Sequence, residues 1–219
     1  VQRLAEVAAE DERIKLIRQT NAGPAAARNT SFRNTVGRYI CLLDSDDLLE
    51  STYLEKCVWF LDSNPEYAFC NAYSVVFGDE SYLWTAGFER GKAYLSANSG
   101  PPISVIRRGA YSDCRGFDES IRFGHEDWDF WLAMAKAGHW GYTIPEYLQW
   151  YRKRGNSRFE QIMKSDSAND EFEKLMHRKY NDLEKKFPAP TRRQAAPYEA
   201  VKTQALVCNP MANNATGRR

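Results

Sequence analysis

Two clusters of acids carry the chemistry this sequence can do. The first ends the stretch Arg38-Tyr39-Ile40-Cys41-Leu42-Leu43-Asp44-Ser45-Asp46-Asp47, an apolar run closed by three carboxylates. Tyr39 to Leu43 has the length and composition of a buried strand in a parallel sheet. The acids then sit at the strand's C-terminal end or in the next loop, where open α/β sheets bind ligands. Clustered carboxylates repel one another and resist burial unless a cation neutralises them. A hard divalent cation holding a phosphate would do so. The same residues also suit a solvated turn, and Asp47 ahead of Leu48-Leu49-Glu50 suits a helix N-cap. A calcium loop of EF-hand type matches less well: Leu49 stands where that loop needs Gly, although Glu55 fits its final position.

The second cluster is Gly124-His125-Glu126-Asp127-Trp128-Asp129, which opens a strongly apolar helix. Acids are favoured in a first helical turn by the macrodipole alone. A carboxylate beside Trp128 and Trp131 would also be partly desolvated, which raises its pKa and suits it to take a proton. The two clusters suggest a division of labour, one for metal and phosphate and one for the proton. A basic group, Tyr151-Arg152-Lys153-Arg154, either neutralises a leaving diphosphate or forms a solvated loop. His125, His139 and His177 show no zinc spacing.

These groups need a scaffold. The 219 residues suffice for one sizeable domain, and 43% apolar content excludes wholesale disorder. A net charge of +1 gives no global field for nucleic acid. No apolar run reaches the roughly 18 residues of a membrane span, and no secretory signal is present. The five scattered cysteines lack any Cys-x-x-Cys pair and read as reduced core residues of a cytoplasmic protein. The chain opens at Val1 within a helical pattern, which suggests an excised domain or fragment.

Periodicity predicts a helix over residues 1–10, a short strand over 13–18, a turn at Asn21-Ala22-Gly23-Pro24 and a helix over 25–36. The strand and the first acids follow. A helix over 50–63 places Tyr53, Leu54, Cys57, Val58 and Leu61 on one face and stops at Asn64-Pro65. Residues 67–77 read as a strand, 79–100 as loop, 103–106 as a short strand and 116–119 as a turn. A helix over 126–137 ends at Gly138. Short strands over 140–144 and 147–151 flank Pro145, and a long helix fills most of 159–187. The Pro-, Asn- and Ala-rich remainder reads as a linker or disordered tail. Strands alternating with helices argue an α/β domain with a mostly parallel sheet.

The motifs, taken in order, resemble those of the family 2 glycosyltransferases with the GT-A fold. Asn21-Ala22-Gly23 through Ala27-Arg28-Asn29 is similar to that family's Asn-x-Gly…Ala-Arg-Asn segment. Gly37 to Asp47 resembles its strand and DXD motif. Gly116-Phe117-Asp118-Glu119, then Glu126-Asp127, and finally Tyr151-Arg152 with Ser157 resemble its later segments. The resemblance implies a GT-A domain over 1–157, a helical extension over 158–187 and a tail over 188–219. It implies an inverting, metal-dependent transfer from a nucleotide sugar, such as a UDP-sugar, to an acceptor hydroxyl of a glycan or glycolipid in polysaccharide synthesis. By the same resemblance Asp46 would hold Mn²⁺ or Mg²⁺, and Asp44 would lie near the ribose or sugar. Arg28 would sit near the nucleotide or sugar, and in the basic group Arg152 and Arg154 could bind the donor's diphosphate directly. Asp127 would be the base, with Glu126 shaping the acceptor site.

Two departures stand out. The family usually begins with a strand and an Asp-Asp-Gly-Ser segment that this sequence does not contain, which fits a chain truncated before Val1. Arg154 stands near where many members place a metal-binding His, and Arg cannot ligate a metal. The alternatives are therefore a catalytically inactive nucleotide-sugar-binding scaffold within a larger synthase, or a nucleotidyltransferase. Further domains of a longer chain and a peripheral membrane contact through Lys185, Lys186, Arg192 and Arg193 are compatible with either course.

Overall fold

The sheet is built around one long parallel ladder. Strands β3 (Tyr67–Gly78) and β6 (Trp140–Lys153) pair in parallel from Tyr67 opposite Trp140 to Gly78 opposite Lys153. The computed structural model describes residues 2–85, 87–88, 98, 103–122, 124–155, 166–181 and 183. The sheet order is β1-β5-β3-β6-β2, with β4 (Tyr82–Trp84) paired to β3 off this path. Strand β1 (Tyr39–Leu42) pairs antiparallel with β5 (Ser104–Arg107), which pairs antiparallel with β3. Strand β2 (Leu48–Leu49) pairs antiparallel with β6. Strands β1, β3 and β6 thus point the same way, and β2, β4 and β5 oppose them in a mixed sheet.

Helices cover both faces because neighbouring strand residues point to opposite sides. On one face, α2 (Gly23–Arg33), α4 (Arg108–Asp113) and α5 (Glu126–Lys136) bury Ala25, Tyr111, Phe130, Trp131 and Met134 against Phe69 and Ile106. On the other, α3 (Tyr53–Ser63) buries Tyr53, Cys57 and Leu61 against Cys70, Val105 and Ile144. The remaining described helices are α1 (Gln2–Glu10) and α6 (Asp166–Tyr180). All the described elements belong to one compact unit, Val1–Pro188.

Several expectations are corrected. Residues 13–18 form no strand; the segment is irregular and exposed. The strand over 39–43 is the sheet's edge and pairs antiparallel, so Leu43 is 48% exposed rather than buried. Leu54 is also exposed, leaving the buried stripe of α3 to Tyr53, Cys57 and Leu61. Asp47 caps no helix, because β2 follows it directly. The stretch read as loop over 79–100 contains β4, and α4 had no periodic signal. The two strands placed around Pro145 are one: the register passes from Ala72 opposite Ile144 to Tyr73 opposite Tyr147. Pro145 and Glu146 fall in that irregularity, where a missing ladder donor is tolerated. Gly138, with φ +84°, follows α5 as expected. Ser157, the ends of the long C-terminal helix and the tail over 188–219 lie outside the described residues.

Candidate functional site

Arg28 joins the two acid clusters. It projects from α2, and its guanidinium donates to Asp44 Oδ1 at 3.3 Å and to Glu126 Oε1 at 3.2 Å. Its carbon centre lies 5.2 Å from the centroid of the Phe117 ring. The Arg28 side chain is 12% exposed and that of Glu126 is 11%, whereas Asp44 is 46% exposed. Asp44 follows β1 and Glu126 opens α5, so two distant segments meet on one cation. A buried guanidinium with a fixed fork suits this bridging role.

Asn29, the next residue, holds the bridge in place. Its buried amide donates to Phe117 O at 2.9 Å and Glu119 Oε1 at 2.8 Å. Its Oδ1 accepts from Tyr111 Oη at 2.7 Å and from the Phe117 N–H at 3.0 Å. All its hydrogen-bonding sites are thereby used on α4 and the 116–119 turn. Gly116 is required in that turn: its φ is +72°, and a Cβ there would stand 2.6 Å from Asn29 Oδ1. Residue type and spacing alone do not mark Asn29 as building the site, although it adjoins Arg28 in the same sequence segment.

Around the first cluster, Asp46 is partly exposed, as Asp44 is. Its carboxylate lies 3.7 Å from Arg154 Nε, with Asp46 38% and Arg154 65% exposed. Arg152 turns its Nε onto the Asp46 carbonyl at 3.0 Å, and its guanidinium lies 4.3 Å from the centroid of the Phe77 ring. Arg152 and Arg154 therefore flank Asp46 from the end of β6.

Asp47 is only 6% exposed. Its Oδ1 accepts the Arg152 N–H at 2.8 Å, and its buried Oδ2 has no partner among the described residues. Burial pushes its carboxyl up to about 6, against the Arg152 N–H; Asp44 and Asp46 add to the rise. The folded protein thus keeps this proton to a higher pH than the unfolded chain does. In the unfolded chain it ionises near pH 4, so its contribution to stability falls as pH rises from about 4 through 6. Asp47→Asn keeps the oxygen that Arg152 uses and cannot ionise. We expect this variant to exceed the wild type at pH 7 by on the order of 2–3 kcal/mol, with the difference closing towards pH 4. Urea denaturation at several pH values measures it.

The second cluster opens α5. Asp127 Oδ1 accepts the Trp128 N–H at 2.8 Å, and Oδ2 accepts from Asn98 Nδ2 at 2.9 Å. Burial first, and then the charge of Glu126, raise the Asp127 carboxyl above the ordinary range, opposed by Asn98 and Arg28. Asp129, two residues on, faces away from this site. It accepts from Lys179 Nζ at 2.8 Å and Tyr180 Oη at 2.8 Å, while Lys179 also pairs with Asp118 at 2.8 Å. Of the two tryptophans expected near the base, Trp128 packs on Phe172 of α6 and Trp131 stacks on Phe69 in the core.

A divalent cation fits the first cluster in one manner only. Among the described residues, no group of three or more His, Cys, Asp or Glu side chains is placed to hold a metal. Mg²⁺-type ions commonly use one or two carboxylates together with substrate phosphates. An outward Asp46 and the unpartnered Asp47 oxygen suit that donor set. A separate cavity of about 570 Å³ at the opposite end of the strands is lined by residues that include Arg107, Arg108 and His139. Its arginines are used on backbone and hydroxyl oxygens, such as Arg107 on Tyr67 O and Arg108 on Thr35 Oγ1.

Comparison with known proteins bears on the family and the fold. The chain is 30% identical over 146 residues to an uncharacterized glycosyltransferase of Rickettsia felis, covering 64% of this chain and 24% of the relative. It is 29% identical over 153 residues to the putative teichuronic acid biosynthesis glycosyltransferase TuaG of Bacillus subtilis, covering 67% and 60%. The chain thus spans about a quarter of the length of the Rickettsia relative. Among solved structures, S. aureus TarS 1-349 in complex with UDP-GlcNAc superposes with a TM-score of 0.61 at 14% identity, over 81% of this chain and 52% of that one. That likeness establishes a GT-A fold. The model of glycosyl transferase family 2 matches residues 1–121, and the chain belongs to that family.

Proposed function

We propose that this chain moves a sugar from a nucleotide sugar, a UDP-sugar in the first instance, to an acceptor hydroxyl with inversion of the anomeric centre. The observation that carries the reading is Arg28 holding Asp44 and Glu126 together, which brings an outward acid group and a desolvated one into a single site. TarS has been crystallised with UDP and with UDP-GlcNAc, which supports a uridine nucleotide donor.

Asp127 takes the proton from the acceptor hydroxyl. The oxygen then attacks the anomeric carbon, the bond to the diphosphate breaks, and the nucleoside diphosphate leaves from the opposite face. A carboxylate held above its usual range is a stronger base, and its contacts with Trp128 N–H and Asn98 fix its direction. Glu126 borders the acceptor side. Arg152 and Arg154 face the negative charge that gathers on the leaving group. A Mn²⁺ or Mg²⁺ ion held by Asp46, with Asp47 behind it, would supply further neutralisation of that charge.

TuaG is named for teichuronic acid biosynthesis, and we extend that setting to this chain: polysaccharide or glycolipid acceptors at the inner face of the membrane. Among the described residues no helix is long and apolar enough to cross a membrane.

Calorimetric titration of UDP with and without Mn²⁺ tests the donor site. Metal-dependent binding that is lost in Asp46→Ala is the expected result. Equal UDP affinity with and without metal would remove Asp46 from metal binding, and no binding at all would favour an inactive scaffold.

A further inference from the structure

The face of the sheet that carries Ser74 and Val76 ends in an aromatic corner. In the ladder, Ser74 stands opposite both Trp84 of β4 and Gln149 of β6, and Val76 stands opposite Tyr151. Residues opposite each other share a face, so Trp84, Gln149 and Tyr151 lie together on it. The Gln149 amide donates to Ser74 Oγ at 2.8 Å, as expected for two side chains on one side. Gln149 Oε1, fully buried, has no partner among the described residues. The Trp84 and Tyr151 rings lie 5.9 Å apart at 71°, forming two perpendicular walls over a polar floor. Both are half-buried, with ring surface left for a ligand.

This corner belongs to the site. Tyr151 immediately precedes Arg152, whose N–H binds Asp47. The Tyr151 phenol is pushed up to about 12 by burial and then by the charges of Asp47, Asp127, Asp44 and Asp46, so it senses both acid clusters at once. Rings meeting edge to face, with a hydroxyl at one tip and acids alongside, match the surface of a sugar. The C–H faces of a pyranose pack on aromatic faces, and its hydroxyls take the polar groups at the edge. A nucleobase could also stack on such rings, but it would leave the carboxylates beside them without hydroxyl partners.

We propose that Trp84 and Tyr151 form a subsite for a hexopyranose ring beside the first acid cluster. The assignment rests on the transferase reading above. The ring is that of the donor or that of the acceptor, and the two sources are separable by experiment.

The test compares wild type with Trp84→Leu, Trp84→Phe and Tyr151→Phe, titrated with UDP, UDP-N-acetylglucosamine and methyl β-glucoside. Trp84→Leu is expected to weaken the binding of one sugar probe about tenfold while leaving UDP affinity unchanged. Loss confined to the nucleotide sugar assigns the donor ring; loss confined to the methyl glycoside assigns the acceptor ring. Trp84→Phe should recover most of the affinity. Wild-type protein labelled with 5-fluorotryptophan adds a readout on the unsubstituted site, needing only the conservative Trp84→Phe for assignment. Its Trp84 resonance, assigned by its disappearance in Trp84→Phe, should shift with a sugar probe and not with UDP. UDP binding with no sugar-dependent shift, or unchanged sugar affinity in Trp84→Leu, overturns the subsite alone. Failure of the wild type to bind UDP or UDP-sugar overturns the transferase reading and the subsite with it.

Discussion

Asp127→Asn should reduce sugar transfer by roughly a hundred- to ten-thousand-fold, the range removed with a general base, and leave UDP affinity where it was. The substitution is nearly isosteric. The side-chain oxygen can still accept the Trp128 N–H, so the start of α5 should keep its geometry. What disappears is the capacity to take a proton. The pH profile gives the second half of the expectation. Burial and Glu126 raise the Asp127 carboxyl, so the wild-type rate should climb with pH as that group ionises above the ordinary aspartate range. Asn98 opposes the rise by donating to Oδ2. Asn98→Ala should therefore move the acidic limb to higher pH, and Asp127→Asn should abolish it. Steady-state transfer rates between pH 5 and 9, alongside UDP titration, measure both effects. Undiminished turnover by Asp127→Asn would transfer the role of base to another group.

The largest expected loss of stability comes from the far side of the same helix. Lys179→Met removes the cation shared by Asp129 and Asp118. Asp129 is 3% exposed, so its charge would remain inside without a counter-ion. Breaking a buried pair from one side typically costs 3–5 kcal/mol. We expect about 3 kcal/mol, the lower end of that range, because Tyr180 Oη still donates to Asp129. Burial already raises the Asp129 carboxyl against the pull of Lys179. Without the lysine it rises further, so the neutral form is favoured in the fold. The deficit should then be largest at neutral pH and shrink as pH falls through the raised folded value. Lys179→Met combined with Asp129→Asn should recover most of the loss, because the uncompensated charge is gone. Urea denaturation at pH 5 and pH 7 distinguishes this from simple loss of packing, which would not depend on pH.

Asp129 also explains how three acids at the start of one helix divide their work. Glu126 turns to Arg28 and Asp127 to Asn98, while Asp129 is spent on tying α6 to α5. His125 and Trp128 complete that tie through their rings on Phe172. The pattern Glu-Asp-Trp-Asp carries no mark that separates these fates. Which acid meets a cation depends on residues 50 and 98 positions away, and period-based reading does not see them.

Much of the framework was legible in the amino-acid order alone. Apolar spacing located α2, α3, α5, β3 and β5 to within a few residues, because burial of one face imposes its own repeat. Asn64-Pro65 and Gly138 ended their helices for local stereochemical reasons. The ordered series of motifs from Asn21 to Arg152 pointed to the family. The tertiary structure decided what depends on distant partners. It made β1 an edge strand, because exposure is set by neighbours and not by the strand's own composition. It joined 140–144 and 147–151 into one strand by absorbing Pro145 in a register irregularity against β3. It left 13–18 irregular, since a β-prone sequence forms ladder bonds only where a partner is aligned. Above all, it brought Arg28 between Asp44 and Glu126, locked it through Asn29 and buried Asp47 beneath Arg152. Charges change their proton affinity by meeting one another in a desolvated place, and only the folded chain supplies that meeting.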